Sequence, residues 1–185
     1  MKKCLEEKDS YIEGRISESH ARRKNSFSTW LKYAEFKLLK GSYALSASGF
    51  LNAGIAIEKT NPSIALKTYR KGFEACIKGG LVESAIFLVS RMASLLERRK
   101  KFLSASKVYI KMADFCESRS MFFLAADSAE HAAELMRAAG KDISNYQRPA
   151  ELWLKNADYW AGQKNKADEA WSRRRAALYM EYISK

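Results

Sequence analysis

The sequence contains few residues that interrupt helices and few that bind metals. Its 185 residues include two prolines, nine glycines, two histidines and three cysteines. The scarcity of proline leaves long windows open to helices, and no window alternates apolar and polar residues with a period of two, so we expect no β-sheet. The histidines, His20 and His131, lie far apart, and neither has a cysteine or second histidine at ligand spacing. The sequence therefore predicts no metal site.

The motifs of common active sites are also missing. Cysteines are odd in number, and Cys76 and Cys116 fall among apolar residues, so we interpret them as buried free thiols. The alternative for Cys116 is a nucleophilic pair with His131. There is no glycine-rich phosphate loop, and the acidic residues fall mostly on the exposed faces of helices. We therefore expect that the protein is not an enzyme and uses no cofactor.

Long apolar runs are absent as well. The longest is far shorter than the roughly 20 residues that a membrane-spanning helix needs. The N-terminal sequence MKKCLEEKDSY has charges where a secretory signal would have its apolar segment. We therefore expect a cytoplasmic protein, which could still attach to a membrane surface from outside.

What the sequence does contain is a repeat of 40 residues. Residues 42–78 align with residues 82–118, and the alignment pairs identical residues: Ala53 with Ala93, Ala65 with Ala105, Lys67 with Lys107, Tyr69 with Tyr109, and Lys71 with Lys111. A period of this length, built from two helices, is typical of an α-solenoid, in which each hairpin buries its apolar face against its neighbours. We therefore predict an all-α fold, an α-solenoid of antiparallel helical hairpins.

Helical spacing of apolar residues, together with cap and stop signals, predicts about nine helices. They cover approximately residues 2–23, 27–40, 42–59, 62–79, 82–98, 102–117, 120–139, 148–162 and 165–183. We interpret residues 1–185 as a single helical-repeat domain. Within it, we assign residues 1–41 to an N-terminal capping hairpin, 42–140 to the core repeats and 141–185 to a C-terminal helical pair.

The charge of the chain is strongly positive. Its 33 lysines and arginines exceed its 21 acidic residues, for a net charge of +12. Such a charge favours an acidic partner: nucleic acid, an anionic membrane face or an acidic protein surface. The alternative is that lysines interleaved with glutamates are an ordinary solvated helix surface.

Some of the basic residues are arranged along one helix face. Four cations between residues 62 and 79 fall within about 100° of one another around the helix axis, opposite the apolar stripe. The repeat places two more at matching positions, so stacking would extend this ridge into a patch. With the basic run that begins at residue 98, the candidate partner-binding residues are Lys67, Arg70, Lys71, Arg98, Arg99, Lys107 and Lys111, beside Lys78 on the ridge.

Within the repeat, short motifs follow a recognisable order. An alanine–glycine pair in one helix is followed by an acidic–basic pair, an Asn-Pro stop, an alanine, and an aromatic residue four positions later. They are Ala53-Gly54, Glu58-Lys59, Asn61-Pro62, Ala65 and Tyr69. In these motifs residues 42–138 resemble the soluble NSF attachment proteins (SNAPs), in their α and γ forms, and tetratricopeptide-like repeat proteins more generally.

The resemblance implies a function. SNAPs are α-solenoid adaptors that lie along the acidic SNARE bundle and recruit the hexameric ATPase NSF in vesicle trafficking. The segment RRKNSFSTWLKY resembles the membrane-attachment loop of the family, which implies membrane contact by Arg22, Arg23, Phe27 and Trp30. The alternative for Trp30 is packing inside the first hairpin.

Two departures from the family keep a second function open. Where the α form presents basic residues after Gly80, this chain has Leu81 and Phe87. The sequence also ends at Lys185 without the C-terminal bundle and acidic end that engage NSF. A helical-repeat scaffold subunit of a protein or ribonucleoprotein complex is therefore the alternative function.

Overall fold

The computed structural model describes residues 26–141 and 146–184. These residues form eight α-helices and no strand: α1 (Phe27–Leu39), α2 (Tyr43–Glu58), α3 (Pro62–Gly79), α4 (Val82–Arg98), α5 (Phe102–Glu117), α6 (Phe122–Ala138), α7 (Gln147–Gly162) and α8 (Lys166–Ile183). The all-α class is thereby confirmed, and every predicted helix from residue 27 onward lies within two residues of its expected bounds. The helix predicted over residues 2–23 lies outside the described residues.

Local signals explain where the helices begin. The Ser26 hydroxyl accepts a hydrogen bond from the Thr29 amide at 3.4 Å, and the Asn61 carbonyl oxygen accepts one from the Ile64 amide at 3.1 Å. Both side chains are N-caps, which satisfy amides that have no partner inside the helix. Pro62 follows directly at the first position of α3, where its missing amide hydrogen costs nothing.

The turns between helices repeat every 20 residues. Each contains one residue in the left-handed conformation, with φ between 53° and 72°: Gly80, Lys100, Ser120 and Gly140. In each turn the next amide bonds to the carbonyl five residues earlier, from Leu81 to Cys76, Lys101 to Leu96, Met121 to Cys116 and Lys141 to Met136, at 2.9–3.0 Å. This is the Schellman cap. The backbone unit is therefore one helix and its turn, half of the 40-residue repeat of side chains.

Two of these turns lack the residue that suits them. Lys100 and Ser120 adopt positive φ, where a β-carbon crowds the backbone. We expect Lys100→Gly and Ser120→Gly each to raise the free energy of unfolding by about 0.5–1 kcal/mol, because relief of this strain exceeds the entropy of glycine in the unfolded chain. Urea denaturation would measure it. Gly80→Ala and Gly140→Ala are the reciprocal controls and should lower stability; less stable glycine variants would contradict the prediction.

The chain divides into two compact units, and the division falls inside α4, between Arg91 and Met92. In the first unit α2 packs against both α1 and α3. Its core includes Trp30 of α1, Phe50 and Ala53 of α2, and Tyr69 of α3, which are all buried. The domain limits predicted from the sequence stay a prediction.

Small residues allow the helices of the first unit to approach closely. A β-carbon on Gly54 of α2 would lie 2.1 Å from Cε1 of Tyr69 on α3. A β-carbon on Gly49 would lie 2.9 Å from the β-carbon of Ala34 on α1. Both distances are too short for carbon atoms, so α2 can pack on its two neighbours only because these positions are glycine.

In the second unit α5, α6, α7 and α8 pack in succession. The alanines of α6 point into this unit and are all buried: Ala125, Ala126, Ala129, Ala132 and Ala133. Because α6 contacts both α5 and α7, the prediction that this alanine-rich helix is covered on more than one face is confirmed.

Candidate partner-binding site

The cations of α3 lie on its exposed face, as the helical spacing predicts. Ala65, Tyr69 and Phe73 turn into the core and are buried. The opposite face therefore carries Lys67, Arg70, Lys71 and Lys78, which are all exposed. We call these four residues the α3 ridge.

The members of the α3 ridge differ in their partners. Lys71 Nζ lies 2.8 Å from Oε1 of Glu35 on α1 and 5.9 Å from the ring centroid of Phe50 on α2. Lys67 and Arg70 make no hydrogen bond or ion pair with any other residue that the structure describes. Two ridge cations thus remain open to an external partner, whereas Lys71 already has an internal carboxylate.

On α5, in the second unit, the acidic residues are paired and the lysines are not. Arg148 of α7 bonds to Asp114 and, at 3.1 Å, to Glu117, which also accepts from Lys155. Lys107 and Lys111 are exposed and have no such partner within residues 26–141 and 146–184. Helix α7 therefore neutralises the carboxylates of α5 and leaves its two lysines uncompensated.

The remaining basic candidates are bound within the chain to different degrees. Arg98 and Arg99 are exposed at the end of α4. Arg98 Nε donates to the carbonyl of Ser94 at 3.4 Å, and both arginines have a further partner in the chain. Lys67, Arg70 and Lys71 belong to the first unit and Lys107 and Lys111 to the second, and their union into one patch stays a prediction.

Trp30, a candidate for membrane contact, is part of the core. It is 4% exposed, and its ring meets Tyr33 edge to face with 5.8 Å between centroids. The alternative interpretation, packing inside the first hairpin, is therefore the one that the structure shows, and the indole has no free face to insert into a membrane. Phe27 is half-buried against the same cluster, and its membrane contact stays a prediction. Arg22 and Arg23 lie outside the described residues.

An open groove of about 440 Å³ runs beside the α3 ridge. Its floor is Phe50 of α2, and its apolar walls are Leu38 and Leu39 of α1 and Ala75 of α3. Charged residues at its margin are Glu35, Lys71, Glu74 and Lys78. We call this the α1–α3 groove. Leu39 is 86% exposed there, the highest exposure among the large apolar residues of the described chain.

Comparison of the chain with protein-family models finds no match, and neither does comparison with curated proteins. Membership of the SNAP family therefore stays a prediction from the motifs of residues 42–138.

The sequence analysis missed a charged cluster in the second unit. Glu130 of α6 is 6% exposed and accepts hydrogen bonds from the indole of Trp153 on α7 and from both Nε (3.2 Å) and Nη2 (2.5 Å) of Arg175 on α8. The Arg175 guanidinium also lies 5.7–5.9 Å from the ring centroids of Trp153, Trp171 and Tyr179. Burial and the bond to Glu130 raise the pKa of Tyr179.

This cluster joins three helices and leaves no group open for chemistry. Each polar atom of Glu130 and Arg175 that is buried has a partner inside the unit, so the cluster is best explained as a structural tie. Its sequence signal was weak, because Arg175 ends a run of three arginines that resembles a solvated surface. Only the position of Glu130 among the alanines of α6 could have indicated a buried carboxylate.

The residues considered for catalysis or metal binding are placed apart from one another. Burial raises the pKa of the Cys76 thiol to about 12 and that of Cys116 to about 11, so both are protonated at neutral pH. His131 stacks on Tyr109 with 5.1 Å between ring centroids. Within the described ranges, no three acidic, histidine or cysteine side chains are grouped as metal ligands would be. The same residues include no helix that is both long and apolar enough to span a membrane.

Proposed function

We propose that this protein is a non-enzymatic interaction adaptor that binds an acidic helical partner. The observation that carries the proposal is the contrast on α3 and α5 between neutralised carboxylates and unpaired cations. Asp114 and Glu117 are bonded to α7, whereas Lys67, Arg70, Lys107 and Lys111 have no counter-charge among the described residues. Unpaired surface cations attract an anionic surface and accelerate its association.

The resemblance to SNAPs specifies the partner further. It implies an assembled SNARE bundle as the acidic helical surface, an NSF-like ATPase as a second partner, and a cytoplasmic location with contact to an anionic membrane face. The α3 ridge is compatible with this partner, because four cations stand on one helix face against the single carboxylate of Glu74. A scaffold that binds nucleic acid would use the same cations, so the experiment must include RNA.

Charge reversal on either helix should weaken the complex. We expect Lys67→Glu with Arg70→Glu, and separately Lys107→Glu with Lys111→Glu, to weaken binding of an assembled SNARE bundle on the order of tenfold at low salt. The loss should shrink as salt rises, since screening limits these charges to about 8 Å at physiological ionic strength. Titration by fluorescence anisotropy at several salt concentrations would measure both effects.

The control for this experiment has the same change in net charge elsewhere. Lys59 and Lys164 are exposed residues in turns away from α3 and α5, so Lys59→Glu with Lys164→Glu should bind nearly as wild type does. Equal binding by all variants would mean that the cations are only a solvated face. Retention on RNA that depends on salt but not on base sequence, without SNARE binding, would instead favour the ribonucleoprotein scaffold.

A further inference from the structure

The α1–α3 groove combines an apolar lining with a cationic wall. Leu38, Leu39, Phe50 and Ala75 provide the apolar surface, and its volume of about 440 Å³ falls in the range of protein ligand clefts, roughly 300–1,000 Å³. The wall on α3 continues into Lys67 and Arg70, which are exposed and unpaired within the described chain. A segment that enters this groove would therefore meet apolar surface below and positive charge along one side.

The ion pair between Lys71 and Glu35 spans this groove. It joins α3 to α1 at 2.8 Å, and the same ammonium lies 5.9 Å from the ring of Phe50 in the floor. Both side chains are about half exposed, at 52% and 45%. An exposed pair of this kind contributes little stability, so a carboxylate from outside can replace Glu35 at small cost.

We infer that the α1–α3 groove receives an apolar side chain of an acidic amphipathic helix, and that a carboxylate of that helix takes the place of Glu35 on Lys71. The inference rests on the proposed function and specifies where and how its partner is held. Docking of an amphipathic helix into an apolar groove is a common mode of recognition, with apolar residues one turn apart as anchors. The charge of the α3 wall selects an acidic helix over a basic one.

Leu39 tests the apolar contact. Because its side chain is 86% exposed, Leu39→Ser should leave the fold unchanged while removing much of the apolar wall. We expect it to weaken binding of the assembled SNARE bundle on the order of tenfold, with little dependence on salt. Leu45→Ser is the matched control, since Leu45 is an exposed leucine of the same unit that does not line the groove.

Glu35 tests the exchange of carboxylates. Glu35→Gln frees Lys71 and should strengthen binding about threefold, whereas Lys71→Met should weaken it and cancel the gain of Glu35→Gln when the two are combined. Glu83→Gln is the control for net charge, because Glu83 is exposed in the first turn of α4 and lies away from the groove. A general charge effect would make both glutamine variants bind alike.

The outcomes separate this inference from the proposed function. If the wild-type chain binds neither the bundle nor a synthetic amphipathic helix with leucines on one face and glutamates beside them, both proposals are overturned. If wild type binds but the Leu39 and Glu35 variants match their controls, only the groove inference is overturned. If Leu39→Ser instead converts a dimer to a monomer in sedimentation and partner affinity is unchanged, the groove joins two copies of the chain and the inference is also wrong.

Discussion

The Ala105→Glu variant is expected to lose its folded structure at neutral pH. Ala105 lies in the first turn of α5 and is 0% exposed. A glutamate there must place an ionised carboxylate in the interior with no cationic partner, or force the helices apart. Buried unpaired charges cost several kcal/mol, and a domain of this size has only about 5–15 kcal/mol of stability. We expect a loss of more than about 4 kcal/mol in the free energy of unfolding.

The pH dependence of this variant identifies the cause. In the folded state burial would hold the pKa of the new carboxyl above its value in the unfolded chain, about 4.3. Below that value both states are protonated and the penalty of charge is absent; as pH rises through the interval up to the folded pKa, stability is lost. Urea denaturation followed by circular dichroism between pH 4 and 8 would measure this slope.

Two controls distinguish charge from shape at this position. Ala105→Gln has nearly the same size and should be destabilising without the slope in pH. Lys107→Glu places the same carboxylate two residues away on the exposed face, and its effect on stability should stay within about 0.5 kcal/mol. An Ala105→Glu variant as stable as Lys107→Glu would contradict the packing of α5.

The Gly54→Ala variant should lose about 2 kcal/mol or more, although alanine is the better helix former. The new methyl group would lie 2.1 Å from the ring of Tyr69, which is 0% exposed. The ring cannot move easily, because its hydroxyl donates to Glu58 at 2.6 Å. Overpacking costs about 1–3 kcal/mol and sometimes more, whereas the gain in helix propensity is about 1 kcal/mol. Thermal and urea unfolding would show the balance.

A second glycine provides the matched control. Gly162 also lies in a helix, but a β-carbon there would meet no atom within 4 Å. Gly162→Ala should therefore be neutral or stabilising by up to about 1 kcal/mol. The penalty of Gly54→Ala should also fall in a Tyr69→Leu background, because the two residues are in contact and their effects couple. Equal effects of the two glycine substitutions would contradict the close approach of α2 and α3.

The helices could be predicted closely because their signals are local. Asn61 and Pro62 mark the start of α3, and Gly80 and Gly140 mark turns, through contacts that reach only about one helical turn. The 20-residue period of the backbone was hidden, because two of its four turns have Lys100 and Ser120 in place of glycine. Those turns follow from the geometry of successive helices and need no sequence signal of their own.

The candidate site divides in the same way. Exposure of Lys67 and Arg70 followed from their position opposite the buried stripe of α3. The pairing of Lys71 with Glu35, 36 residues away, could not be predicted, because it depends on which helices pack together. The same holds for Glu130 and Arg175, which are 45 residues apart.

The sequence by itself determined the helical class, the limits of the helices and the residues that face inward, since helical periodicity and capping depend on neighbours a few positions away. Only the tertiary structure decided which charges are neutralised, where glycine is required for contact, and that Trp30 belongs to the core while Leu39 stays in solvent. These outcomes depend on distances between segments tens of residues apart. Such distances are set by the packing of whole helices, which no short stretch of sequence encodes.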